Sequence, residues 1–421
     1  MSERRSIELA EYESVLLPFE DVTEVDMERL QRLQKSGYLS VIEARTGVKI
    51  TAGGITGVLR LDRLSLSIAP KVAFAGDGLL RWLCYATATP APHEPTMRTW
   101  MTDRDGFSEI VAAALLFECR NILRDGLQRN YVRRELVAPV LRGRLDSAAQ
   151  VTKRFGMLDQ LHTRTFEREA DIWENRICAT ALRAAYGSSR NDRLARELAR
   201  TAADFPTDTS VPAALEALNR ATYTRLNQRY RAAHMWAGLI LRGGGVTNLL
   251  IDCGDAADSI LLDMPKLWEA AVRRMVDDAT GPAASIVSVA GGSGIIASGD
   301  LRIHKPFRPD VLVARQMEGR STHFPIDAKY KHYDRSSLSA DDIQQLLLYV
   351  TAYSPKAGPV GAIVHPHPRV NSHRSVRVHG NHRELGTIEV LGIATDLPPL
   401  DAVEWMRGVL LTIDPTLPTA D

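Results

Sequence analysis

The 421-residue sequence predicts a multidomain α+β chain that ends in an α/β layer. A small β-rich N-terminal domain is expected over residues 1–75, a mainly helical region over 76–245, and a mixed sheet flanked by helices over 246–421. Three observations predict this. Short runs that alternate apolar and polar residues crowd the first 72 positions, Leu64-Ser65-Leu66-Ser67-Ile68 being the cleanest. From Gly78 apolar residues recur at helical spacing. Beyond Met264 the order becomes helix, two short apolar runs, helix and a further run.

In the first region, Tyr38 to Thr46, Val48 to Thr51, Gly57 to Leu61 and Leu64 to Lys71 read as strands, and Gly53-Gly54 marks a turn. A small barrel or sandwich is expected there, with one helix over 26–35. In the middle, helices are expected at Leu79 to Ala86, Phe107 to Asp125, Thr165 to Tyr186, Asp192 to Ala203, Pro212 to Asn219 and Tyr230 to Leu241. Tyr131 to Ala138 reads as extended, and Leu141-Arg142-Gly143-Arg144-Leu145 as a basic turn. Gly243 to Asp258 is polar and glycine-containing, a natural boundary. Met264 to Val276 reads as an amphipathic helix with Pro265 near its start.

Composition narrows the class. Apolar residues make up 45% and charged residues 24%, with a net charge of +1, so the chain as a whole is not built to coat nucleic acid. Charge does cluster locally: Arg120 to Arg168 holds eleven Lys or Arg against five Asp or Glu. That excess suits a phosphate backbone, an acidic protein partner or a solvated face equally. Four cysteines (Cys84, Cys119, Cys178, Cys253) lie far apart, which fits no zinc spacing and suits a reducing, cytoplasmic compartment. The N-terminus lacks an apolar signal core and no run reaches membrane-spanning length, so no membrane is expected. Gly243-Gly244-Gly245 and Gly291-Gly292-Ser293-Gly294 lack the following lysine and hydroxyl of a phosphate loop, so no nucleotide cofactor is expected on this chain. His367, His373, His379 and His382 match no usual metal spacing and read as a polar loop and strand near nucleic acid.

The chemistry concentrates in two segments. Phe307-Arg308-Pro309-Asp310-Val311-Leu312-Val313 precedes Phe324-Pro325-Ile326-Asp327-Ala328-Lys329-Tyr330, with a polar stretch, Arg315 to Ser321, between them. Two antiparallel strands joined there would set Asp310 beside Asp327, and period-two alternation places Asp327 and Lys329 on one face. Two carboxylates can hold a hard cation such as magnesium, and an adjacent ammonium can orient water or offset charge on a phosphate. An Asp-x-Lys triplet alone is also a common solvated strand edge. A helix follows from Asp341, with Gln345 and Tyr349 four apart on one face, then a strand over Val360 to Val364.

This order resembles the PD-(D/E)xK nuclease core, a restriction-endonuclease-like mixed sheet flanked by helices. The resemblance implies catalytic roles for Asp310, Asp327, Lys329 and Gln345, and metal ligation by Asp310, Asp327 and the carbonyl of Ala328. Glu269, on the preceding helix, matches a glutamate that often joins the metal site. Leu79 to Ala86, Leu141-Arg142-Gly143-Arg144-Leu145, Glu174-Asn175-Arg176-Ile177 and Ile68-Ala69-Pro70-Lys71-Val72, together with Asp310, Asp327-Ala328-Lys329-Tyr330 and Gln345-x-x-x-Tyr349, resemble the McrC family. McrC is the nuclease subunit of McrBC modification-dependent (5-methylcytosine) restriction systems. The likeness runs from about residue 55 to the end. It implies a Mg2+-dependent endonuclease, with Mn2+ able to substitute, that docks on and stimulates a McrB-like AAA+ GTPase ring and cuts double-stranded, modified DNA. Two other classes stay open: a non-cleaving activator of the AAA+ partner, and a DNA-repair nuclease working with a helicase.

Overall fold

The computed structural model describes residues 5–74, 78–87, 106–189, 192–241, 260–281, 285–286, 295, 307–317, 320–333, 337–354, 359–381 and 383–413. The two glycine-rich runs, the Gly243 to Asp258 boundary, Cys253 and His382 lie outside these residues. The described chain is mixed α+β with several sheets. It divides into two compact units, Met1–His93 with Thr247–Ile251 and Leu261–Asp421, and Glu94–Val246 with Asp252–Ile260. The segments read from sequence as separate N- and C-terminal domains therefore both fall in the first unit.

One reason is a shared sheet. β1 (Arg5–Ala10) runs parallel to β6 (Leu64–Ala69), which pairs with β5 (Ile55–Arg60), and β5 borders β10 (Ile260–Asp263) in the order β1-β6-β5-β10. Met264 N–H donates to the Gly54 carbonyl at 3.0 Å, fastening the following helix to the turn before β5. A second sheet orders β2 (Ser14–Leu17), β4 (Gly47–Ala52) and β3 (Leu39–Ala44). The helix between these strands, α1 (Glu24–Lys35), starts two residues earlier than expected because Thr23 and Asp26 form a reciprocal capping box. Asp26 is fully buried and also accepts the Asp62 N–H at 3.1 Å, so its carboxylate is hydrogen-bonded. α2 (Gly78–Ala86) follows, and its Trp82 indole N–H donates to the Thr395 carbonyl at 3.1 Å.

The larger sheet has six strands in the order β11 (Ser285–Ile286), β12 (Val311–Met317), β13 (Arg320–Ala328), β14 (Val360–His367), β16 (Arg383–Ala394), β15 (Ser372–Gly380). The neighbours β13, β14 and β16 are parallel, and their near-continuous apolar runs suit central strands covered on both faces. The outer strand β15 is mostly exposed and carries His373, Arg374, Arg377 and His379. The polar stretch read as a hairpin connection is largely ladder: Arg315 pairs with Thr322 and Met317 with Arg320. Backbone pairing continues there although the side chains lack the apolar pattern that marks a half-buried strand.

The second unit runs α3 (Gly106–Arg124), β7 (Asn130–Ala138), β8 (Arg144–Leu145), α4 (Ser147–Lys153), β9 (Leu161–Glu169), α5 (Trp173–Ser188), α6 (Asp192–Ala203), α7 (Val211–Asn219) and α8 (Arg231–Leu241). The expected helix from Thr165 is corrected here. Thr165 to Glu169 belong to β9, whose partners Arg134 to Asn130 draw them into a ladder, and the helix begins only at Trp173. Gly143 sits at φ +80° in the basic turn, and a Cβ there would stand 2.4 Å from the Arg164 carbonyl oxygen, so only glycine fits.

In the first unit, α9 (Met264–Thr280) and α10 (Ala340–Tyr353) flank the larger sheet, followed by α11 (Pro399–Ile413). Leu346, Tyr349 and Val350 of α10 pack on Ile363, Ile388 and Val390. This close approach depends on glycine: a Cβ on Gly361 would meet Val350 Cγ2 at 2.7 Å, and one on Gly386 would meet Val350 Cγ1 at 3.2 Å. Valine is stiff at χ1 and cannot swing clear. Gly361→Ala is expected to cost about 1–3 kcal/mol, read as a lowered urea midpoint, with Gly361→Ala/Val350→Ala recovering part of the loss.

Candidate functional site

The site is built by strand register. Val311 stands opposite Ile326, so one further step sets Asp310, at the start of β12, across from Asp327 near the end of β13. Asp327 is 2% exposed. The two carboxyl groups come within hydrogen-bonding reach of each other. The Ala328 N–H donates to Asp310 Oδ2 at 2.7 Å and fixes that carboxylate at the strand end. Burial, the neighbouring Asp327 and Glu269 push the Asp310 carboxyl up to about 7, against the pull of the Ala328 N–H and Lys329. Burial also raises Asp327, although Lys329 opposes it. A pair of like charges in low dielectric is costly in the absence of a cation.

Lys329 shares the face of Asp327. Its Nζ lies 2.8 Å from Asp327 Oδ2 and donates to Gln345 Oε1 at 2.7 Å. Burial presses the ammonium downward, but Asp327, Asp310 and Asp342 outweigh it and hold its pKa above the ordinary lysine value. Gln345 is oriented in turn, since its Nε2 donates to the Tyr349 hydroxyl at 3.0 Å, which leaves Oε1 facing the lysine. The i,i+4 spacing on α10 makes that relay possible.

Glu269 lies on α9. It is near enough to raise Asp310, yet its carboxylate pairs with Arg273 at 3.6 Å on the helix surface. Arg273 also donates to the Asp310 backbone carbonyl. Among the described residues no group of three His, Cys, Asp or Glu side chains stands close enough to hold a metal ion. The hard oxygen donors at the site are therefore Asp310 and Asp327, with the Ala328 carbonyl on the chain beside them. Two convergent carboxylates with both pKa values raised by burial fit a hard divalent cation, which takes oxygen ligands and keeps several waters. Of the tail histidines, His367 Nδ1 accepts the Arg369 and Val370 N–H groups, and His373 Nε2 meets Glu389 at 2.8 Å, so both are engaged with their own strand and turn.

Sequence reading missed one hub. Asp342, read only as a helix N-terminal acid, is 4% exposed and accepts Lys331 Nζ at 2.8 Å, the Tyr333 hydroxyl at 2.7 Å and the Ser339 hydroxyl at 2.7 Å. Burial presses its carboxyl up, but these hydrogen bonds prevail and hold it below the usual range. The signal was present as Ser339-Ala340-Asp341-Asp342, a capping-box spacing in which the Asp342 N–H donates back to the Ser339 hydroxyl at 3.2 Å.

Fold and site together define a mixed-sheet α+β protein with a lysine-backed acid pair at the end of a central hairpin. A family model described as the McrBC 5-methylcytosine restriction system component matches residues 50–366, most of the chain, and the chain belongs to that family. No curated protein matches it. Among solved structures, the refined half-complex from a tetradecameric assembly of Thermococcus gammatolerans McrB AAA+ hexamers with bound McrC is similar at TM-score 0.67 and 18% identity, covering 97% of this chain and 100% of that one. A cryo-EM structure of the Thermococcus gammatolerans McrBC complex is similar at TM-score 0.50 and 20% identity, covering 66% of this chain and 88% of that one. At these identities the likeness shows a shared fold.

Because Asp342 is charged when bonded and its folded pKa is depressed, its contribution is present above the ordinary carboxylate pKa and lost as pH falls through the folded value. Asp342→Ala is expected to destabilise the protein by about 2–3 kcal/mol at neutral pH. Denaturation with urea across a pH series should show the gap to the parent closing in acid.

Proposed function

We propose that this chain is the DNA-cleaving subunit of a McrBC-type restriction complex, a magnesium-dependent endonuclease that acts with an AAA+ GTPase ring. The observation that carries the reading is the register-matched pair Asp310 and Asp327, with Lys329 locked at 2.8 Å from Asp327. The helix–hairpin–helix–strand order around that pair supports a PD-(D/E)xK core. Asp310, Asp327 and the Ala328 carbonyl would hold Mg2+, or Mn2+ in its place. The bound ion would polarise a phosphodiester and acidify a water.

The chain's own residues supply the rest. Asp310 is steadied by the Ala328 N–H, so its free oxygen is presented at a fixed position. Lys329 spends two of its three donors on Asp327 and Gln345, which leaves one for the attacking water or a phosphate oxygen. Tyr349 keeps Gln345 from turning its amide nitrogen toward the ammonium. Glu269, tied to Arg273, is assigned a modulating role through its field at Asp310.

The second unit supports a partner-docking role over phosphate tracking. Several of its basic residues are already paired, Arg134 with Glu169 and Arg164 with Asp146. In the same unit Phe155, Leu158 and Phe166 are 82%, 84% and 67% exposed, large apolar side chains of the kind a partner protein can cover. McrC of Thermococcus gammatolerans is bound to McrB hexamers in the similar structure, and a McrB-like ring is the partner proposed here. The double-stranded DNA it delivers would carry modified cytosine.

Asp327→Ala is expected to lower magnesium-dependent DNA cleavage by at least about 10^2-fold in a reconstituted complex, while the variant still co-elutes with the ring in gel filtration. Cleavage at the parental rate, with chelator-treated parent inactive, would falsify the assignment.

A further inference from the structure

The segment ahead of the family-matched region reaches the site from far away in sequence. Glu11 follows β1 and is 5% exposed. Its Oε2 accepts the Tyr330 hydroxyl at 3.1 Å and the Lys71 N–H at 2.7 Å. Lys71 Nζ in turn lies 4.5 Å from the Tyr330 ring centroid and 4.8 Å from that of Tyr12, a cation–π sandwich. Tyr12 holds this place at φ +67°, an uncommon conformation for a non-glycine residue. Tyr330 is the residue directly after Lys329.

The whole stretch beyond Lys329 is pinned in this manner, although it is neither helix nor strand. Tyr330 is held by Glu11, Lys331 by Asp342, His332 through the Lys71 carbonyl at 3.2 Å, and Tyr333 by Asp342. Glu11 is an expensive choice for structure alone. Burial pushes its carboxyl up to about 7, against Lys71 and Tyr330, and its Oε1 is buried with no hydrogen-bond partner among the described residues. An apolar residue here would leave the Tyr330 hydroxyl and the Lys71 N–H without their acceptor, so the carboxylate is what ties these two segments together.

We propose that Glu11 is a positioning residue: acting through the Tyr330 hydroxyl, the N-terminal segment clasps the strand end that carries Asp327 and Lys329 and holds the ammonium in line with the acid pair. This rests on the nuclease reading for its catalytic consequence, but the clasp itself can be read separately. Glu11 lies outside residues 50–366, so this anchor is supplied by a part of the chain that the family model does not cover.

The test uses the full-length chain as Glu11→Ala, Tyr330→Phe and Glu11→Gln. Glutamine keeps an oxygen that can accept both hydrogen bonds. Amide hydrogen exchange of peptides spanning residues 327–333 should quicken roughly tenfold in the first two variants and return toward the parent in the third. Exchange in β14 and β16 should stay unchanged. With the partner ring, magnesium and DNA, kcat should fall by about the same factor at constant KM and be rescued by glutamine. Tyr330→Phe removes only a hydroxyl, so it decides the question if Glu11→Ala unfolds. Parental exchange in Tyr330→Phe overturns the clasp whether or not the chain cuts DNA. Local quickening in a chain whose parent never cleaves sustains the clasp and removes the nuclease reading instead.

Discussion

Everything at the site depends on holding two carboxylates together, Asp327 buried and Asp310 partly so. The antiparallel register of β12 and β13 does this with backbone hydrogen bonds alone. A slip of one residue would send Asp327 and Lys329 to the opposite face of the sheet and separate Lys329 from Gln345 Oε1. The parallel neighbour β14 holds that register by pairing with β13 from Ile326 to Ala328, and Leu346, Tyr349 and Val350 of α10 cover Ile363 and Val390 of β14 and β16. The electrostatic cost of the pair is therefore borne by the packing of a whole sheet.

Lysine and glutamine show how a single helix can tune this cost. α10 approaches closely because Gly361 and Gly386 present no side chain to Val350. The approach brings Gln345 to hydrogen-bonding range of Lys329, and Tyr349 one turn further on keeps the amide in one orientation. Missing methyl groups in the sheet thus set the position of a polar group above it.

The acid pair was legible because period-two alternation and hairpin geometry are local rules, and Asp310, Asp327 and Lys329 are brought together as those rules require, whereas Gln345 was placed beside them only by the family resemblance. The helical segments around Leu79, Phe107, Asp192 and Tyr230 were legible for the same reason, since their apolar spacing is self-contained. Thr165 to Glu169 were misread because their strand exists only through pairing with residues some thirty positions earlier. Glu11 was invisible, as its partner Tyr330 lies 319 residues away and no local pattern links them. The joining of β5 to β10, which binds the two ends of the first unit, was hidden in the same way.

The outer strand β15 has one further consequence. It leaves a row of backbone amides and carbonyls at the border of the six-stranded sheet, a template on which another chain could extend the ladder. His373, Arg374, Arg377 and His379 line that border, and the register slips between Val378 and His379. Arg374 and Arg377 would face their own copies across such a junction and repel, and a bulge twists the rim away from flatness. Both features disfavour the strand of a second copy at the border of the sheet that carries the acid pair.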